Sequence, residues 1–289
     1  MLLNKDKIYL KSPIKWSGGK YSLISKIENY LDQNKEVFVE LFAGSLALTL
    51  YFQPKNVIIN DICFPLINMW YIIKKFPNKL CYHLNIFNNN NYNNSKKFYE
   101  IRNLFNELKN KKKINKNKKI ILAAYFIYLN KRSFNGLYRE NKKGEYNSSY
   151  RYYKNSNIYD KQNILNISKY FNNNYIKFYN KSFIDIKIPN NSFVYIDPPY
   201  YPSKTSSFTS YNKNNFTINQ QILLNNYCNL LDKNNIKFLQ SNSPCKEIIK
   251  LYKNFNYISF FIQRNMRSAI KENNNKKKRK YKNEILIFN

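Results

Sequence analysis

Residues 193–200, Phe-Val-Tyr-Ile-Asp-Pro-Pro-Tyr, constrain this chain more than any other stretch. The apolar run from Phe193 to Ile196 reads as a short core strand. Asp197 then opens a turn that cannot continue it, because two consecutive prolines lack N–H donors and push Asp197 and Pro198 toward extended geometry. A carboxylate, the carbonyl oxygens of Asp197 and Pro198, and the Tyr200 ring are thereby held in fixed relation at a strand's carboxyl end. That edge is where open α/β sheets bind ligands. A planar base with an exocyclic amine suits such a turn: the oxygens accept from the amine while the ring stacks on the base. The competing reading is a Pro-rich turn with no chemical role.

A second pattern lies upstream. Val37–Leu41 reads as a strand, followed by the small-residue turn Ala43-Gly44-Ser45, an apolar helix from Leu46 to about Phe52, and a strand at Val57–Asn60 ending in Asp61. This order is the first half of a nucleotide-binding α/β unit. Only one of the glycines of a dinucleotide fold is present, which does not support a pyrophosphate cradle. A nucleoside carrying an amino-acid tail fits the turn better. Asp61 stands where such folds set an acid against ribose hydroxyls, although by itself it serves equally well as a helix cap.

Helical patterns follow at about Leu66–Lys75, Lys96–Leu108 and Ile120–Asn130. They are separated by the Asn-rich tract 88–94, expected to be a disordered insertion, and a basic run at 109–119. Strands are expected at Ile176–Tyr179, Ile236–Gln240, Tyr257–Ile262 and Glu284–Phe288, with helices at Ile218–Leu231 and near Lys246–Tyr252. The spacing predicts an α/β domain built from residues 1–63 and 160–289, with a mainly helical lobe inserted at 64–159.

The formal charge of +32 implies a polyanionic partner, although heavy use of Lys, Asn, Ile and Tyr also fits codon drift in an AT-rich genome. His83 is the only histidine and no two cysteines form a CxxC pair, so His-based catalysis and Cys/His metal sites are set aside. No metal is expected. No apolar run approaches the roughly 20 residues of a membrane span, and the N-terminus lacks a secretory apolar core. An intracellular, monomeric protein is the expectation, acting in the cytoplasm, at the nucleoid or at a viral replication site.

Three further segments are candidate contacts. In Lys15-Trp16-Ser17-Gly18-Gly19-Lys20, paired glycines allow close approach to a ligand, Trp16 offers a stacking face and Lys20 a cation; an ordinary turn before a helix is the plainer reading. In the run from Asn130 to Asn147, Arg and Asn side chains have the groups that read guanine and adenine edges, and Phe134 can wedge between bases. A solvated basic loop is the alternative there. Between the last two strands, Lys276 and Lys277 open a cluster of cations suited to phosphate contact.

KWSGGKYSLI, FVELFAGSLAL, INDIC, NKRSFNGLYREN with KGEYN, FYNKSF, VYIDPPY, FTSYNKNNFT and QSNSP occur in the order seen in DNA adenine-N6 methyltransferases of the Dam type. The chain resembles that family from about Lys15 to its last strand. The resemblance implies a Rossmann-like methyltransferase fold, S-adenosylmethionine as methyl donor and double-stranded DNA as substrate. It assigns Trp16 and Lys20 to the N-terminal cofactor motif, Glu40, Phe42 and Gly44 to the cofactor loop, and Asp61 to the ribose. Asp197, Pro198 and Tyr200 match the tetrapeptide that receives a flipped adenine, with Asp197 also facing the cofactor. Phe134, Asn135 and Arg139 match the hairpin that enters the DNA.

One departure stands out. An aromatic-Gly-Arg run of the family is replaced by Asn147-Ser148-Ser149-Tyr150-Arg151-Tyr152, so the resemblance carries adenine methylation but not the GATC target. A catalytically silent DNA-binding homologue, or methylation of another planar amine such as cytosine N4 or a base in RNA, are the alternatives.

Overall fold

Alternating side chains along the predicted strands face two different apolar layers, which is what a sheet covered on both sides requires. The structure, a computed structural model, describes residues 8–154, 157–201, 216–263 and 281–289. After a short helix α1 (Ile24–Ile27), strand β1 (Val37–Glu40) leads through α2 (Ala47–Phe52) to β2 (Asn56–Asn60). Five helices follow: α3 (Phe64–Lys75), α4 (Pro77–Phe87), α5 (Ser95–Lys109), α6 (Lys116–Arg132) and α7 (Lys161–Asn173). The chain then supplies β3 (Tyr175–Tyr179), β4 (Ser192–Ile196), α8 (Ile218–Lys233), β5 (Lys237–Asn242), α9 (Lys246–Leu251), β6 (Asn256–Gln263) and β7 (Tyr281–Phe288).

Among the described residues the sheet has seven strands in the order β3-β2-β1-β4-β5-β7-β6, with β7 antiparallel to both its neighbours and the others parallel. The direction of winding reverses between β1 and β4, where Phe38 pairs with Phe193 and Glu40 with Tyr195. That reversal creates the crevice in which open α/β sheets place ligands. On one face Phe38, Ile59, Phe193 and Tyr195 share a core with Trp70 of α3, Phe126 of α6 and Phe171 of α7. On the other, Val39, Ile58, Val194 and Ile196 pack with Leu224 of α8 and Ile248 of α9.

Two helices were not legible in the hydrophobic pattern. In α4 the buried residues Leu80, Cys81, Leu84 and Phe87 are interleaved with Asn, Lys and His. In α7 they are Ile164, Ile167, Ser168, Tyr170 and Phe171, after an Asp160 side chain that caps the helix through Asn163 N. The Asn tract is also a correction, because it is built into the fold. Asn89 accepts from Asn91 N at 2.9 Å, Asn93 donates to the Tyr153 carbonyl at 2.9 Å, and Asn94 caps α5 through Lys97 N at 2.9 Å. A short amide side chain satisfies turn and helix-end donors locally, so a polar tract can be structural.

Candidate active site

The carboxyl ends of β1 and β4 lie side by side, tied by Leu41 N donating to the Tyr195 carbonyl at 3.1 Å. The turn after β1 is tight: Gly44 has φ +47°, and a Cβ there would come within 2.9 Å of Trp16 Cδ1. Gly44 N donates to Asp61 Oδ2 at 3.2 Å and Cys63 N to Asp61 Oδ1 at 2.9 Å. Asp61 thus joins the turn to the end of β2 with both oxygens, and burial raises its pKa against those backbone donors. Trp16, Gly44 and Asp61, separated in sequence, form one wall.

Glu40, the last residue of β1, is buried and accepts from Thr49 Oγ1 at 2.6 Å. Desolvation pushes its pKa to about 8, against hydrogen bonds from Thr49 and from the Leu48 backbone. Phe42 packs against Phe183 and Phe216, with ring centroids 5.5 and 5.8 Å away.

Lys20 Nζ lies 2.8 Å from Asp197 Oδ1 and donates to the Gly18 carbonyl at 2.7 Å. The same ammonium sits 4.9 Å from the centroid of the Tyr200 ring. Burial raises the Asp197 pKa to about 6; the Lys20 charge opposes that shift and the Glu284 charge adds to it. Lys20, Asp197 and Tyr200 are therefore assembled into one group, whereas the sequence reading sets Lys20 with the cofactor motif and apart from the tetrapeptide.

Several supports had no role in the sequence reading. Tyr200 Oη donates to Glu284 Oε2 at 2.9 Å, from a buried acid in the otherwise apolar end of β7. Gln221 Nε2 donates to the Pro199 carbonyl at 3.1 Å, and Gln221 Oε1 accepts from Asn242 Nδ2 at 3.2 Å. Ser243 Oγ donates to the Tyr201 carbonyl at 2.7 Å. Prolines have no N–H of their own to fix the turn, so the Pro199 carbonyl is held from α8 and the Tyr201 carbonyl by Ser243, just after β5. A buried acid at the boundary where β7 turns apolar, Glu284 before Ile285-Leu286-Ile287-Phe288, leaves no distinct signal in the sequence.

The segment after α6 forms a hairpin with little ladder, bridged only at Ser133–Tyr150 and Glu140–Tyr146. Phe134 is 51% exposed and Asn135 adopts φ +57°. Arg139 Nε donates to Asn147 Oδ1 at 2.8 Å across the hairpin, and Arg151 lies over the Phe134 ring at 5.1 Å. The turn end of the hairpin is pinned to α5 by a Lys109–Glu140 ion pair and by Asn106 bonded to both the N–H and carbonyl of Tyr146, while within the hairpin Tyr138 Oη donates to Glu140 at 2.5 Å. Lys276 and Lys277 lie outside the described residues.

Residues 16–266 match the family model of the D12 class N6 adenine-specific DNA methyltransferases. The chain belongs to this family. It is 38% identical over 263 residues to the Type II methyltransferase M.MjaIII of Methanocaldococcus jannaschii, covering 86% of this chain and 89% of that one. It is 36% identical to the Type II methyltransferase M1.LlaDCHI of Lactococcus lactis subsp. cremoris, over 88% of this chain and 89% of the relative. With the DNA adenine methylase of Escherichia coli K12 it shares 31% identity over 83% and 82% of the two chains. As a D12 methyltransferase the protein is an N6-adenine DNA methyltransferase: it uses a methyl donor and acts on DNA. Among the described residues no helix is long and apolar enough to cross a membrane, and no group of three or more His, Cys, Asp or Glu is placed to hold a metal.

Proposed function

We propose that the protein transfers the methyl group of S-adenosylmethionine to the N6 amine of an adenine turned out of duplex DNA. In this reading residues 64–159 serve as a target-recognition lobe on a catalytic domain formed by 1–63 and 160–289. The observation that carries it is the Lys20–Asp197–Tyr200 group at the end of β4, next to β1, whose following turn joins Trp16, Gly44 and Asp61.

The residues present fit the cofactor. A glycine turn with no side chain to block approach, an acid able to accept from ribose hydroxyls and an indole for packing suit a nucleoside with an amino-acid tail. S-adenosylmethionine, when bound, supplies a methyl already activated on a sulfonium. The protein's task is then orientation and electrostatic matching.

Turning the base out costs a few kcal/mol, which stacking on Tyr200 offsets by about 1–3 kcal/mol. Asp197 and the Pro198 carbonyl accept from the N6 amine and direct its lone pair toward the methyl. Lys20, bonded to Asp197 Oδ1, favours the ionised carboxylate against the burial that raises its pKa to about 6. The amine's surplus proton leaves on the Asp197 side. On the DNA, Phe134 wedges, Asn135 and Arg139 meet base edges, and Lys276 and Lys277 hold phosphates.

Asp197→Ala tests the reading with labelled S-adenosylmethionine and unmethylated duplex DNA. Loss of the acceptor should lower turnover by about 10²-fold or more, with thermal unfolding and S-adenosylhomocysteine binding still measurable. Near-normal turnover would overturn the assignment.

A further inference from the structure

The segment carrying Trp16 and Lys20 and the turn carrying Phe134 and Asn135 are about 115 residues apart, yet one side chain holds both. Asn130, near the end of α6, is buried. Its Oδ1 accepts from Lys15 N at 2.8 Å, and its Nδ2 donates to the Lys15 carbonyl and to the Gly136 carbonyl, each at 2.8 Å. Both amide hydrogens are thus used, one on each segment.

Two further contacts close the same joint. Gly136 has φ +67°, and a Cβ there would lie 2.6 Å from Lys15 Cβ, so the Gly136 backbone packs against the Lys15 side chain where only glycine fits. Beside it, the Trp16 indole, whose edge meets Gly44, stacks on Tyr138 at 5.7 Å and 22°. Neither segment is held by a strand ladder at this point: residues 15–20 form a turn, and the hairpin has only isolated bridges. Main-chain bonds tie the turn to its own hairpin, as from Phe134 N to the Ser149 carbonyl at 3.0 Å, but the side-chain contacts are what join it to residues 15 and 16, so a shift of one segment is transmitted to the other.

We infer that Asn130 is a positioning residue that couples the methyl-donor pocket to the DNA-reading turn, so that filling one site favours filling the other. The inference rests on the proposed function, which places the cofactor at Trp16 and the DNA at Phe134 and Asn135. The physical basis is shared ordering. A ligand that fixes Trp16 also fixes Lys15, and through Asn130 it fixes Gly136, so the second ligand meets a segment already in place. Coupling of this kind is reciprocal in the two binding constants. An asparagine that merely completes the core would stabilise both segments without linking their ligands.

The ratio of S-adenosylhomocysteine dissociation constants without and with saturating unmethylated plasmid DNA separates these cases. In the wild type the ratio should be at least about fivefold, the lower end of measured allosteric couplings. Asn130→Ala should bring it to within about twofold of unity, even if both ligands still bind. Gly136→Ala provides a second route, since its Cβ forces the turn away from Lys15 while leaving Asn130 intact; it should reduce the ratio in the same way and decides the matter if Asn130→Ala does not fold. A wild-type ratio of one with both ligands bound would overturn the coupling alone, and so would a ratio retained in the folded variants. Failure of the wild type to bind S-adenosylhomocysteine or DNA at all would overturn the proposed function, and the coupling with it.

Discussion

The catalytic crevice and the DNA-reading hairpin are built by different means. Asp197 and the turn after Glu40 emerge from adjacent parallel strands, so their separation is set by a backbone register that side chains only refine. The hairpin has isolated bridges and a few main-chain bonds of its own, and its place on the rest of the fold is set by individual side chains: Asn130 at its start, Lys109 and Asn106 at its turn end, with Asn147 across it. A site made by register resists single substitutions away from the reacting groups. A site made by clamps depends on each clamp, and can be re-aimed by changing one.

The largest effect separating the two should come from Lys109→Met. It leaves Glu140 without its cation in a place where each side chain is about nine-tenths buried, with 13% and 10% exposed. Breaking a buried pair from one side costs about 3–5 kcal/mol, here an upper bound because Tyr138 also donates to Glu140. Thermal unfolding should register the loss. DNA affinity should fall while S-adenosylhomocysteine binding persists, and equal damage to both ligands would break the contrast.

Arg139→Ala should cost about 1–3 kcal/mol of discrimination at one base pair, the worth of one bidentate guanine contact. Methylation profiles over a randomised duplex library would show relaxed preference at that position with cofactor affinity unchanged. A uniform loss across all sequences would assign Arg139 to a phosphate instead.

Tyr200→Phe sharpens the comparison from the catalytic side. The ring remains to stack, but Glu284 loses a hydroxyl donor in a buried setting, a loss of about 1–3 kcal/mol. The variant should unfold at lower temperature while retaining most turnover; Tyr200→Ala should lose turnover as well. If Phe stops the reaction, the hydroxyl has a chemical part to play.

A pH dependence gives the last test. Glu40 is raised from 4.5 to about 8 and Asp197 from 3.8 to about 6, so between those limits the folded protein holds more protons than the unfolded chain. Their contribution to stability is full below about pH 4 and is lost as pH rises, through about 6 for Asp197 and about 8 for Glu40. Unfolding temperature should therefore decline from pH 5 to 8 on their account, and Glu40→Gln should flatten the upper part of that decline. Activity should run the other way near pH 6, because the ionised Asp197 is the acceptor. An unfolding curve unaltered by Glu40→Gln would show that this acid is not held neutral.

Legibility followed the same division. The strands β1, β2 and β4 were readable because a parallel strand buried on both faces is a short apolar run, and Asp197, Pro198, Tyr200 and Gly44 stand at its ends. Helices α4 and α7 were missed because their buried stripes are interrupted by Asn, Lys and Tyr from a biased composition. The Asn tract misled for the same reason: its amides cap turns and helices, which composition by itself does not reveal.

The sequence by itself determined the local chemistry: the strand that must stop at Asp197-Pro198-Pro199-Tyr200, the turn that needs Gly44, and the order of motifs along the chain. Only the tertiary structure decided that Lys20 stands between Asp197 and Tyr200, that Glu284 receives the Tyr200 hydroxyl, and that Asn130 joins Lys15 to Gly136. Strand ends and tight turns are fixed by dihedral limits within a few residues, which a sequence carries openly. Contacts between residues over 80 positions apart depend on how strands order themselves and helices stack, and no local pattern encodes that.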